Sequence, residues 1–78
     1  MGSAAEKHRS LVALGESLRD RRVELEMTQY ELARRCGMHR TFITGIERGE
    51  SNVSILTLLR ITEALETTAE DVFSTAAL

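Results

Sequence analysis

The chain has 78 residues and no proline, a single cysteine, five glycines and three aromatic side chains, Tyr30, Phe42 and Phe73. Scarce aromatics and absent proline argue against strands and point to helices. The lone Cys36 cannot close an internal disulfide, so packing alone must hold the fold, as in a reducing compartment. No apolar run approaches the roughly 18–20 residues needed to span a bilayer. The opening Met-Gly-Ser-Ala-Ala stretch also lacks the apolar segment of a secretory signal. The expectation is a cytoplasmic protein with no membrane partner. Length is short as well: a folded chain of this size buries only about 60% of the surface that its unfolded form exposes. That leaves one domain over residues 1–78 and excludes barrels, large pockets and two-domain clefts.

An excess of positive charge is missing too, because ten Lys and Arg against twelve Asp and Glu give a net charge of −2. The average hides a split. Residues 7–48 carry nine basic and six acidic side chains, whereas residues 49–78 carry Arg60 against Glu50, Glu63, Glu66, Glu70 and Asp71. The first part is basic enough to face a polyanion, and the second suits a surface turned away from one.

Apolar periodicity and capping signals divide the chain into five helices. Leu11, Leu14, Leu18 and Leu25 recur at helical spacing, with Arg19, Arg21 and Arg22 between them, and predict a helix over about residues 8–26. Thr28-Gln29-Tyr30-Glu31 is a capping box that opens a second helix through Leu32 and Ala33 to about Cys36, where Gly37 offers a left-handed terminus. Phe42, Ile43 and Ile46 mark a third, ending near Arg48-Gly49. Ser54 caps a fourth that carries Ile55, Leu58, Leu59, Ile61, Ala64 and Leu65. Thr68-Ala69-Glu70-Asp71 opens a short fifth with Val72 and Phe73. The fold class is all-α.

Two short helices joined by a three-residue, glycine-containing turn have the geometry of a DNA-binding helix-turn-helix, here over about residues 28–47. The second of them opens with Arg40 and Thr41 and keeps Ile43 and Ile46 for an inner face. A helix inserted end-on into the major groove needs this arrangement. The chain shows no nucleophile–base pair and no phosphate-binding glycine loop, and His8 and His39 have no second Cys/His cluster to make a metal site. An enzyme, a metal, a cofactor and a small-molecule ligand are therefore not expected.

The residues Met27-Thr28-Gln29-Tyr30-Glu31-Leu32-Ala33, Gly37, Arg40 to Gly49, Leu56-Thr57-Leu58-Leu59 and Leu65 resemble the XRE/Cro-type repressor helix-turn-helix domain over about residues 14–73. Arg40-Thr41-Phe42-Ile43-Thr44-Gly45-Ile46-Glu47-Arg48-Gly49 is most similar to the recognition helices of restriction-modification controller proteins. The resemblance implies a five-helix, phage-repressor-like domain that binds double-stranded operator DNA as a homodimer. Position by position, it implies base contacts from Arg40, Thr41, Phe42 and Thr44, with Arg40 suited to a bidentate contact with guanine. Backbone contacts would come from Gln29 and His39, with Arg35 also within range of phosphate.

It also implies a structural ion pair between Arg22 and Glu47. Relatives carry a basic pair and a proline after the recognition helix, where this chain has Glu50, Ser51 and Val53, leaving Asn52, Ser54 and main-chain amides to hold phosphate. Glu26 stands where a glycine is usual and predicts a continuous or strained first turn. Val72, Phe73 and Leu78, with Ala76 and Ala77, leave apolar surface for a two-fold interface. Activation would further require a surface for RNA polymerase, and no residue identifies one. A competing reading is a protein-interaction module, an antitoxin or adaptor, using the same helices.

Overall fold

The computed structural model describes residues 3–78; Met1 and Gly2 of the small, polar N-terminal stretch lie outside the described residues. Five helices follow in order: α1 (Ala4–Glu24), α2 (Gln29–Cys36), α3 (Arg40–Glu47), α4 (Ile55–Ala64) and α5 (Ala69–Thr75). α2 and α3 are separated by three residues, Gly37 to His39, as the sequence predicts. The first helix differs from its expected bounds by beginning four residues earlier. Its first turns are exposed all round, so they carry no apolar period. What starts them is a local signal, the Ser3 hydroxyl accepting from the Glu6 amide at 3.2 Å. Thr28, Ser54 and Thr68 cap α2, α4 and α5 in the same way, and Glu31 completes the capping box on Thr28.

All five helices end alike. A left-handed residue follows each of them, Glu26, Gly37, Gly49, Glu66 and Ala77, with φ between 54° and 74°. Each ending carries the paired backbone bonds of a Schellman motif. At α1 these are Glu26 N to Val23 O at 2.9 Å and Met27 N to Arg22 O at 3.1 Å. The turn predicted as strained at Glu26 is therefore this same ending, built with a side chain that disfavours positive φ.

Twelve buried residues form one core: Leu14 and Leu18 from α1, Met27, Leu32, Ala33 and Cys36 around α2, Ile43 and Ile46 from α3, Leu58, Ile61 and Leu65 around α4, and Val72 from α5. α3 is held between α1 and α2, while α4 and α5 close the other side of the core. The approach of α1 to α3 is close enough to require glycine. A Cβ on Gly15 would stand against the carbonyl of Ile46 and 2.6 Å from that of Glu47. The last turn of α3 thus rests directly on the backbone of α1. The molecule measures 34 × 23 × 20 Å.

Candidate nucleic-acid interface

The inner face of α3 is spent on the core through Ile43 and Ile46, which leaves Arg40, Thr41 and Phe42 exposed in its first turn. Phe42 keeps 38% of its surface in solvent, so it stands at the margin between core and outside. His39, the N-cap, is exposed and makes no side-chain bond to the helix it opens. The leading amides of α3 accordingly remain available to an outside acceptor, alongside a positive helix end.

What fixes the pose of α3 is a polar chain through all three N-terminal helices. Arg22 of α1 donates Nε to Glu47 Oε2 at 2.8 Å and Nη2 to Glu47 Oε1 at 3.1 Å, while its Nη1 donates to the Met27 carbonyl at 2.6 Å. Gln29 Nε2 donates to Glu47 Oε1 at 3.0 Å, and the Thr44 hydroxyl lies 2.9 Å from Gln29 Oε1 and 3.0 Å from the Arg40 carbonyl. Both partners of the ion pair are largely enclosed, Arg22 with 11% and Glu47 with 3% of the side chain exposed. The pair named from the sequence is formed, with the bidentate geometry that a guanidinium and a carboxylate favour.

The remaining predicted residues fall into distinct settings. Gln29 is half-buried with its amide engaged between Glu47 and Thr44, so its main-chain N–H and one remaining amide hydrogen are what it can offer a phosphate. Thr44 is likewise half-buried and bonded within the network. Asn52 is exposed in the loop between α3 and α4. Ser54 is exposed but capped onto α4, accepting from the Thr57 amide at 3.1 Å and donating to the Thr57 hydroxyl at 2.9 Å. Arg35 is exposed on α2, where it lines a shallow depression with Cys36, Arg60, Glu63, Ala64 and Glu66 that includes no residue of α3. Its two arginines and two glutamates leave that depression without net charge.

One assignment is corrected. Val72 was expected at a two-fold interface, but it is only 3% exposed, packed in the core of its own subunit, and its carbonyl accepts the Ser17 hydroxyl at 3.0 Å. Phe73 is half-buried against the same core, so only Leu78 of the three expected residues stands free.

Two arginines that the sequence reading passed over hold helix ends. Arg60 Nη2 donates to the Cys36 carbonyl at 2.6 Å, and Arg21 donates Nε to Leu65 O at 2.9 Å and Nη2 to Glu66 O at 3.0 Å. Each places a cation on the negative terminus of another helix. Their partners lie 24 and 44 or 45 residues away in sequence, so no local spacing reveals them. Burial pushes the Cys36 thiol above its ordinary range, with the neighbouring Arg60 guanidinium pulling partly the other way.

Comparison with known proteins places this arrangement. Residues 18–72 match the helix-turn-helix family. The control protein C.SmaI of Serratia marcescens is 41% identical over 54 residues, 69% of this chain and 64% of that protein, so the chain spans just under two thirds of that relative's length. Among solved structures, the clp gene regulator ClgR of Corynebacterium glutamicum aligns with a TM-score of 0.86 at 32% identity, covering 87% of each chain. The restriction-modification controller protein C.Esp1396I, solved as a tetramer in complex with its natural 35 base-pair operator, aligns with a TM-score of 0.79 at 32% identity, over 87% of this chain and 90% of that one. The chain belongs to the XRE-type helix-turn-helix family and is similar over most of its length to restriction-modification controller proteins.

Proposed function

We propose that this protein is a sequence-specific transcription regulator that binds a two-fold-related DNA operator as a homodimer, in the manner of a restriction-modification controller. The observation that carries the reading is the pose of α3. Its first turn, Arg40 to Phe42, stands in solvent while its other face is buried and its last turn is braced by Arg22 through Glu47. A rigid helix offering its N-terminal side chains is what end-on entry into a major groove requires.

In this reading Arg40 donates to guanine O6 and N7, Thr41 presents a hydroxyl or methyl to a neighbouring base, and Phe42 meets a thymine methyl. Thr44 touches DNA only at the margin, because its hydroxyl already serves the bond to Gln29. Phosphates are held by the amides of Gln29 and of the first turn of α3, with His39, Asn52 and Ser54 beside them. Arg35 is left out because the depression that it lines on α2 includes no residue of α3. Such a regulator works where the DNA is, in keeping with the expected cytoplasmic location, and its fold serves binding rather than catalysis.

Selection of bound sequences from random duplex DNA at two salt concentrations tests the reading. The expected result is a two-fold-related site whose preference relaxes at one position per half-site with Arg40→Ala, a loss of about 1–3 kcal/mol. Recovery of no sequence at low salt would refute it and favour a protein-interaction module.

A further inference from the structure

Beyond bracing α3, the Arg22–Glu47 pair sets the direction of the hydrogen bonds that follow it. An ionised carboxylate only accepts, so Gln29 must turn its amide nitrogen toward Glu47, the contact of 3.0 Å from Nε2 to Oε1. The carbonyl oxygen of the Gln29 side chain then faces the other way, 2.9 Å from the Thr44 hydroxyl. The second neighbour of that hydroxyl, the Arg40 main-chain carbonyl at 3.0 Å, is an acceptor as well. A threonine hydroxyl has one proton to give. Held between two acceptors of its own chain, that proton is committed inward, and the lone pairs of Thr44 Oγ1 are what remain for an outside partner. A threonine free in solvent can rotate its hydroxyl to donate or accept as a partner demands; Thr44 has lost that choice.

Thr44 lies four residues after Arg40 and three after Thr41, on the side of α3 that carries both of these exposed side chains, and it keeps part of its own surface in solvent. A groove entered by Arg40 and Thr41 is therefore met by Thr44 one helical turn further along. In the major groove the hydrogen-bond donors are the N6 amine of adenine and the N4 amine of cytosine, whereas guanine and thymine present acceptors. Phosphate oxygens are acceptors too, and Thr44 has no proton left for them.

We propose that Thr44 determines specificity as a hydrogen-bond acceptor for an exocyclic amine, adenine N6 or cytosine N4, because Gln29 and Arg40 hold its proton inside the protein. The proposal rests on the operator-binding reading and deepens it. Where Arg40 donates to a base that accepts, Thr44 accepts from a base that donates, so the two side chains read groups of opposite polarity from one helix face.

Selection from random duplex DNA with Thr44→Val, which keeps the branched shape and removes the oxygen, locates the position that Thr44 reads. Wild type is expected to select adenine or cytosine there, Thr44→Val to lose that preference with unchanged helical circular dichroism, and Thr44→Ser to retain it. Binding titrations then use the selected duplex with that base replaced by its analogue lacking the amine, purine for adenine or 2-pyrimidinone for cytosine. The analogue should weaken wild-type binding about three- to tenfold, the scale of one neutral hydrogen bond, and leave Thr44→Val binding as it was. A Thr44-dependent preference for guanine or thymine would overturn the proposal. So would a Thr44→Val loss equal for every sequence, the mark of a phosphate contact, or the absence of any position that depends on Thr44. In each of these cases a preference that relaxes at its own position with Arg40→Ala would leave the regulator standing. Selection of no sequence by wild type would remove both.

Discussion

Replacing Glu47 by alanine is expected to unfold this protein far more readily than it weakens DNA binding by the molecules that remain folded. The carboxylate accepts three hydrogen bonds, two from Arg22 and one from Gln29, and its side chain is 97% enclosed. Its removal strands a guanidinium whose side chain is only 11% exposed and leaves that group with the Met27 carbonyl as its remaining protein acceptor. Breaking one side of a buried pair costs about 3–5 kcal/mol. The slight exposure of Arg22 admits some water, so we take about 3 kcal/mol. A domain of 60–100 residues loses roughly 4–8 °C of melting temperature per kcal/mol, hence about 12–24 °C here.

The assay is thermal and urea unfolding by circular dichroism at a fixed protein concentration, because a dimer gains stability by mass action. Arg22→Met combined with Glu47→Leu should recover a large part of the loss, since two apolar side chains leave no charge uncompensated. A cost below about 1 kcal/mol for Glu47→Ala, the range of an exposed pair, would refute the reasoning. So would an operator affinity that falls sharply while stability holds, because that would make Glu47 part of the DNA contact.

Further outcomes follow from the backbone and the thiol. Gly15→Ala should destabilise by about 1–3 kcal/mol in urea unfolding despite alanine's better helix propensity, because its Cβ would press on the Ile46 and Glu47 carbonyls and lever α3 off α1. Glu26→Gly and Glu66→Gly should each stabilise by about 0.5–1 kcal/mol, read as a higher melting temperature, since both positions hold positive φ with a side chain. Because burial raises the Cys36 thiol above its unfolded value, its contribution to stability is fully present below the unfolded value and declines as pH climbs through the raised one. At pH 8 its labelling by a disulfide reagent should be slow in buffer and fast in denaturing urea; equal rates would show that the thiol is open.

The helix ends were legible because their causes are local. A Thr or Ser three residues before its amide partner, or a glycine after an apolar run, is written in consecutive residues, and Thr28, Ser54, Thr68 and Gly37 act as their positions suggest. The early start of α1 escaped a reading based on apolar period because Ala4 to Ser10 bury nothing. Arg40 and Thr41 were legible as exposed for the converse reason, since Ile43 and Ile46 declare the inner face of α3.

By itself, then, the sequence determined five helices, their caps, the helix-turn-helix spacing and the split of charge between a basic first part and an acidic remainder. Only the tertiary structure decided which apolar side chains of α4 and α5 face inward. α4 is apolar around most of its circumference, so periodicity cannot choose between Leu58 and Leu59, and packing puts the first in the core and the second in solvent. Val72 was drawn inward for the same reason. The polar chain Arg22–Glu47–Gln29–Thr44 and the arginine caps of Arg21 and Arg60 were decided there as well, because each bond joins groups brought together by the core and not by their separation along the chain.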